Sequence, residues 1–146
     1  MKYSCSIQIN LPIDKTVKLW SDEQHFSKWQ DGFVRIEHLK GEPNTKGAKS
    51  KILFSGKQEM ELIETILVNN LPEEKTALYE HKHMSNTQTS RFFAEDENST
   101  TYISEVEYII FNGFLIRLFA KLFPSKFKQQ SEKWIKQFKE FAENHN

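Results

Sequence analysis

The sequence predicts an α+β domain in which a curved antiparallel sheet wraps around a long C-terminal helix. Three observations predict it. Runs of alternating residues between 33 and 111 are separated by short turn signals; residues 127–141 carry an apolar stripe at helical spacing; and seven of the twelve Phe, from Phe111 to Phe141, lie in or beside that helix. Consecutive strands on short connections form antiparallel hairpins, and a helix this rich in aromatic groups needs a sheet face to bury them.

Tyr3, Cys5, Ile7, Ile9 and Leu11 alternate with Lys2, Ser4, Ser6, Gln8 and Asn10, which predicts a half-buried strand over 2–11. Pro12 then opens a short helix, where a missing N–H costs nothing, with Asp14 at the positive end of the dipole and Ile13, Val17 and Trp20 on one face. Asp22 caps a second short helix through Trp29, with Phe26 and Trp29 as its apolar pair, and Asp31-Gly32 ends it. Strands follow at 33–40, 48–55, 58–68, 76–84, 87–94 and 100–111. They are divided by Gly, Asn and Pro clusters at 41–47, 56 and 69–74, by Ser85-Asn86, and by 95–99. Residues 114–123 are apolar nearly all round, and Pro124 marks either a kink or a fresh start. Phe127, Ser131, Trp134, Phe138 and Phe141 then trace one face of the long helix, with Lys128, Lys133, Lys136 and Lys139 off it.

A length of 146 residues fits one domain over 1–146, and 38% hydrophobic, 13% aromatic and 27% charged residues match a soluble globular chain. Twenty basic and twenty acidic residues give zero net charge, which argues against a protein that coats nucleic acid. The zero hides blocks. Residues 1–53 carry nine bases and six acids, 54–112 four and eleven, and 113–146 seven and three. The expected molecule is negative across the back of the sheet and positive along the outer side of the helix, where an anionic membrane or a protein partner could make transient contact.

The single Cys5 cannot form an internal disulfide or a cysteine-based zinc site, and the polar N-terminus lacks a signal-like apolar run, so a cytoplasmic location is expected. The longest apolar stretch, 111–123, is shorter than the about 20 residues a membrane span needs. No Gly-rich phosphate loop or nucleophile elbow occurs, and no cofactor is expected.

The segment 7–22 (IQINLPIDKTVKLWSD), the FSKW of Phe26 to Trp29, and the loops at 41–47 and 69–72 resemble the START-like, helix-grip superfamily. That superfamily (SRPBCC) includes polyketide cyclase/dehydrase-like proteins and Bet v 1-type allergens. The resemblance covers essentially the whole chain in architecture. It implies a seven-stranded antiparallel sheet gripping the C-terminal helix, two short helices between the first two strands, and an internal apolar cavity. It implies no reaction, because binders, transporters, cyclases and chaperone regulators share the scaffold.

Charge assigns the strand faces. Turning Glu59 and Glu61 to water points Met60, Leu62, Glu64, Ile66 and Val68 inward. Glu80 and Lys82 outward put Tyr79, His81 and His83 inside. Glu105 and Glu107 outward put Tyr102, Ser104, Val106, Tyr108 and Ile110 inside, and Lys49 and Lys51 outward leave Ser50, Ile52 and Phe54 facing in. The expected cavity lining is Phe26, Trp29, Phe54, Leu62, Tyr79, His81, Tyr102, Tyr108, Phe119 and Phe123.

Within it, a hairpin turning near Leu71-Pro72 makes Glu64 and His81 cross-strand neighbours: either an acid/base couple or two groups that merely satisfy each other. His81 and His83 share a strand face, but a catalytic zinc usually needs three protein ligands, and no metal site is expected. His25 reads as a surface group or an entrance group. Arg91 suits a ligand carboxylate or phosphate if it faces inward. Residues 114–123 admit three readings: core, ligand wall, or an interfacial membrane segment over which Arg117 and Lys121 snorkel.

The leading expectation is a module that binds a small hydrophobic, lipid- or polyketide-like molecule. The alternatives are a cyclase/dehydratase-type enzyme using the same cavity and a regulator that contacts a chaperone or membrane complex.

Overall fold

The computed structural model describes residues 1–145. Strand β1 (Lys2–Ile9) is followed by helix α1 (Ile13–Ser21), a 3-10 turn (Glu23–His25) and the short helix α2 (Phe26–Trp29). A meander follows: β2 (Phe33–Lys40), β3 (Lys49–Phe54), β4 (Met60–Asn70), β5 (Glu74–His81), β6 (Met84–Asp96) and β7 (Ser99–Phe111). Helices α3 (Phe114–Leu122) and α4 (Pro124–Glu143) close the chain. The seven antiparallel strands form one sheet in the order β1-β7-β6-β5-β4-β3-β2, so the first two strands lie at opposite edges and α1 and α2 bridge them.

The local devices are legible. Pro12 stands just before α1, as its cap residue rather than its first helical one, and the Asp22 carboxylate accepts a 2.9 Å bond from the Gln24 N–H at the start of the 3-10 turn. Pro124 does not kink one helix. It is the first residue of α4, where its missing N–H is harmless, and Phe123 breaks the chain between α3 and α4.

Two bulges correct the face assignment. Val68 pairs with Thr76 but Ile66 with Ala77, so Leu67 is an extra residue on β4 and Val68 turns out to solvent. Asn86 pairs with Tyr108 but Ser85 with Ile110, so Ile109 is extra on β7 and Ile110 is exposed instead of inward. The β5–β6 turn is Lys82-His83 rather than Ser85-Asn86, which takes His83 off the strand.

Helix α4 crosses the concave face of the sheet. Its C-terminal half is packed: Phe138 is fully buried between Trp29, at 5.1 Å between ring centroids, and Tyr102, at 5.9 Å. Phe92 stacks on Tyr102 at 4.7 Å with Trp20 edge-on to both, and Cys5, Ile9, Leu19, Ile135 and Ala142 complete the core. Burial of each large side chain contributes about 1.5–3 kcal/mol. The N-terminal half packs differently. Ser131, small and polar, sits on the same helical face as Phe127, Trp134 and Phe138, and opposite it the sheet presents Asn86, Gln88 and Ser104. Space remains between them.

Candidate functional site

That space is a cavity of about 730 Å³ between the sheet and the N-terminal half of α4. Its buried end includes Trp20, Tyr102, Ile52 and Glu64. Its exposed lining residues, which mark the mouth, are Asp31 before β2, Ser55, Gln58 and Glu59 between β3 and β4, His83 in the β5–β6 turn, Phe119 on α3, and Lys126 and Gln130 on α4.

Of the residues expected to line it, Phe26, Trp29, Phe54, Leu62, Tyr79, His81, Tyr102, Tyr108 and Phe119 do so. Phe123 does not. The break before α4 places it at the end of α3, half exposed, with its ring 5.4 Å from that of Phe119.

Glu64 is buried, with 8% of its surface exposed, and lines the cavity. Its partner is not His81. The three-residue turn at 71–73 pairs Asn70 with Glu74, and the extra Leu67 then moves the register by one, so Glu64 lies opposite Tyr79 and His81 opposite Met84. The Tyr79 hydroxyl donates a 2.7 Å hydrogen bond to Glu64 Oε2. Burial, followed by the adjacent Glu64 charge, pushes the Tyr79 phenol well above its ordinary value. This tyrosine stays protonated and remains a donor. His81 lines the cavity two residues further along β5, and partial burial together with His83 and Lys82 holds its pKa down.

The rung that carries this pair crosses most of the sheet: His38 faces Ser50, Ser50 faces Glu64, Glu64 faces Tyr79, Tyr79 faces Asn86 and Asn86 faces Tyr108. At its edge, His38 Nε2 lies 2.9 Å from Glu23 Oε1 and Nδ1 lies 2.8 Å from Ser50 Oγ. A carboxylate only accepts, so Nε2 donates to Glu23, and a neutral ring accepts at Nδ1 from the Ser50 hydroxyl.

Lys75 was missed in the sequence, although alternation puts it on the face of Ala77 and Tyr79. It lines the cavity with its ammonium 5.5 Å from the centre of the Trp20 ring, and burial lowers its pKa against the pull of Glu64 and Glu23. At the far side, Trp20 Nε1 donates to the Tyr102 hydroxyl at 3.1 Å. The Tyr3 hydroxyl donates to the Phe127 carbonyl at 2.9 Å and accepts from Ser131 at 3.0 Å, which ties β1 to α4 beside the cavity.

Other candidates lie elsewhere. Arg91 faces outward, 3.0 Å from Glu74 and 3.6 Å from Glu105, and meets no cavity group. His25 packs against Phe141 and His145 at 5.2 and 4.9 Å between ring centroids, away from the mouth. Cys5 is buried in the core, where desolvation raises its thiol pKa. The His81 and His83 rings are 5.5 Å apart, but among the described residues no three metal-ligating side chains converge. Among the same residues no helix is long and apolar enough to cross a membrane.

No family model matches the chain, and no curated protein matches it in sequence. Solved structures do match in shape. The Zhui aromatase/cyclase from Streptomyces sp. R1128 superposes with a TM-score of 0.81 at 8% identity, over 98% of this chain and 93% of that one. Ara h 8.0201 gives 0.72 at 12% identity, over 97% of both chains. Norcoclaurine synthase from Thalictrum flavum gives 0.71 at 13% identity, over 100% of this chain and 88% of that one. With its open seven-stranded sheet curved around α4, the chain shares the helix-grip fold of these structures.

Proposed function

We propose that the protein binds a small hydrophobic molecule carrying a hydroxyl or carbonyl group inside the sheet–α4 cavity. The observation that carries this reading is the buried Glu64 carboxylate, hydrogen-bonded to the half-buried Tyr79, in a largely apolar cavity of about 730 Å³. Cavities of roughly 300–1,000 Å³, lined by apolar and aromatic groups with a few placed polar ones, suit a single small organic ligand. Phe26, Trp29, Phe54, Leu62, Tyr108 and Phe119 hold its body. Glu64, Tyr79 and the neighbouring Lys75, Tyr102 and His81 orient its polar end.

The test is native mass spectrometry of freshly purified protein, together with displacement of an apolar fluorescent dye by a lipid and polyketide mixture. Retained small molecules or dye displacement, weakened in Leu62→Trp and reported by Phe119→Trp emission, support the reading. If neither the native spectrum nor the dye shows any occupant, the reading fails.

One observation favours a second reading, proton transfer of the cyclase or dehydratase kind. Glu64, Tyr79, Lys75 and His81 all reach one cavity, so a bound ketone could meet both proton donors and acceptors there. A turnover assay on aromatic polyketide-like and cyclic ketone substrates separates the readings. Catalysis predicts that Glu64→Gln retains the ligand and loses product formation, whereas binding alone predicts no turnover in either protein.

A further inference from the structure

We propose that α3, with the end of β7 that leads into it, is a docking surface for an anionic lipid bilayer. No residue of this nine-residue helix is buried. Phe114 and Leu115 are 76% and 78% exposed and Leu122 58%, and Leu118, Phe119, Phe123, Ile109 and Ile110 are exposed as well. A helix this short has little stability of its own in water and needs packing on an apolar face. The protein supplies that packing only on the side of Ile116, which lines the cavity.

The arrangement around the helix fits a bilayer. At 100° per residue, Phe114, Leu115, Leu118 and Leu122 form one stripe, Arg117 and Lys121 border it on one side, and Phe119 and Ile116 lead to the cavity mouth on the other. Arg117 Nε donates to the Phe111 carbonyl at 2.9 Å, which fixes the start of the helix beside the sheet. Every charged residue from 108 to 131 is basic: Arg117, Lys121, Lys126 and Lys128. A second copy meeting the first face to face would set these charges against each other, whereas anionic headgroups neutralise them. The helix is roughly 14 Å long, too short to span the about 30 Å hydrocarbon layer, and its stripe suits shallow insertion with the basic side chains snorkelling to the headgroups. The long helix is the poorer docking element, because Lys133 is committed to Asp31 at 2.6 Å and Lys139 to Glu143 at 2.7 Å. Docking through α3 brings the cavity mouth, marked by Phe119 and Lys126, toward the lipid.

The experiment is flotation of the full chain with vesicles of phosphatidylcholine alone or doped with phosphatidylglycerol, which reads membrane binding whether or not the cavity holds a ligand. The protein is expected to float with the anionic vesicles and to release as salt is raised. Arg117→Gln/Lys121→Gln should lose roughly thirty-fold in affinity, Lys121→Gln alone, which leaves the Arg117 bond to the Phe111 carbonyl in place, about five-fold, and Leu115→Ser/Leu122→Ser at least about ten-fold, the last two with far-UV circular dichroism unchanged because their side chains are exposed. Phe114→Trp provides a readout that removes no charge: its emission should shift to the blue on anionic vesicles. The proposal is overturned by absence of flotation on anionic vesicles, by equal binding to neutral ones, or by affinity unaltered in both double variants. A dimer in sedimentation that Leu115→Ser/Leu122→Ser dissolves, without vesicle binding, would assign the face to a second copy instead.

Discussion

Tyr79 donates its hydroxyl to Glu64 across the β4–β5 pair, and the two side chains together form a polar contact on the buried face of the sheet. The phenol satisfies one oxygen of a carboxyl group that has little access to water. Removing the donor leaves Glu64 buried and short of a partner, which costs more than the bond itself is worth.

Tyr79→Phe should therefore destabilise the fold by about 1–3 kcal/mol in urea unfolding. Glu64→Leu in the Tyr79→Phe background should recover part of that loss, since an apolar pair has nothing to satisfy. A Tyr79→Phe protein as stable as the parent would show that Glu64 finds another partner.

All four tyrosines of the chain, Tyr3, Tyr79, Tyr102 and Tyr108, are pushed above the ordinary phenol value, each chiefly by burial. Above the unfolded value of about 10, the folded state keeps phenol protons that the unfolded chain gives up, so stability is intact below that pH and falls as pH rises through the folded values. Lys75 works the other way, because its lowered pKa makes the fold gain stability with pH up to about 10.4, but it is one amine against four phenols. Tyrosinate absorbance should appear in one cooperative step together with loss of near-UV circular dichroism. Tyrosines that ionise while the near-UV spectrum persists would contradict this.

Gly32 sits at φ +86° before β2, and a Cβ there would lie 2.5 Å from the Ser55 carbonyl oxygen. Its own carbonyl accepts from the Ser55 N–H at 2.7 Å, so the turn cannot simply move away. Gly32→Ala should cost about 1–3 kcal/mol in thermal unfolding. Gly47, also at positive φ but with open space around its Cβ position, should tolerate alanine better.

Phe138 is the keystone of the packed half. Phe138→Ala should cost about 3–5 kcal/mol, measured by urea unfolding, and extend the cavity toward Trp29 and Tyr102. A loss below about 1 kcal/mol would mean that the core collapses to fill the space.

Alternation and turn residues reveal most of the fold, and the ends they give β2, Phe33 and Lys40, are the observed ones. Register was harder. The extra residues at Leu67 and Ile109 leave no mark in composition, yet each moves a strand by one position and turns Val68 and Ile110 outward. Together with the three-residue turn at 71–73, the shift at Leu67 gave Glu64 to Tyr79 rather than His81. Glu64 itself was recognisable, because a carboxylate in phase with Leu62 and Ile66 must face inward. Lys75 was equally accessible by alternation from Tyr79. The Glu23–His38–Ser50 contact was not, since it joins a helical turn to an edge strand and has no local signature.

The sheet order also sets the sequence of events in folding. Strands β2 to β6 each pair with the next strand in the chain, so every hairpin closes a short loop, but β1 must wait for β7, pairing Lys2 with Glu107. During synthesis at ordinary rates, on the order of 5–20 s separates these two residues at the ribosome. For that interval Tyr3, Cys5, Ile7 and Ile9 form an unpaired apolar strand in a growing chain, the segment on which a chaperone or an aggregate has its earliest hold.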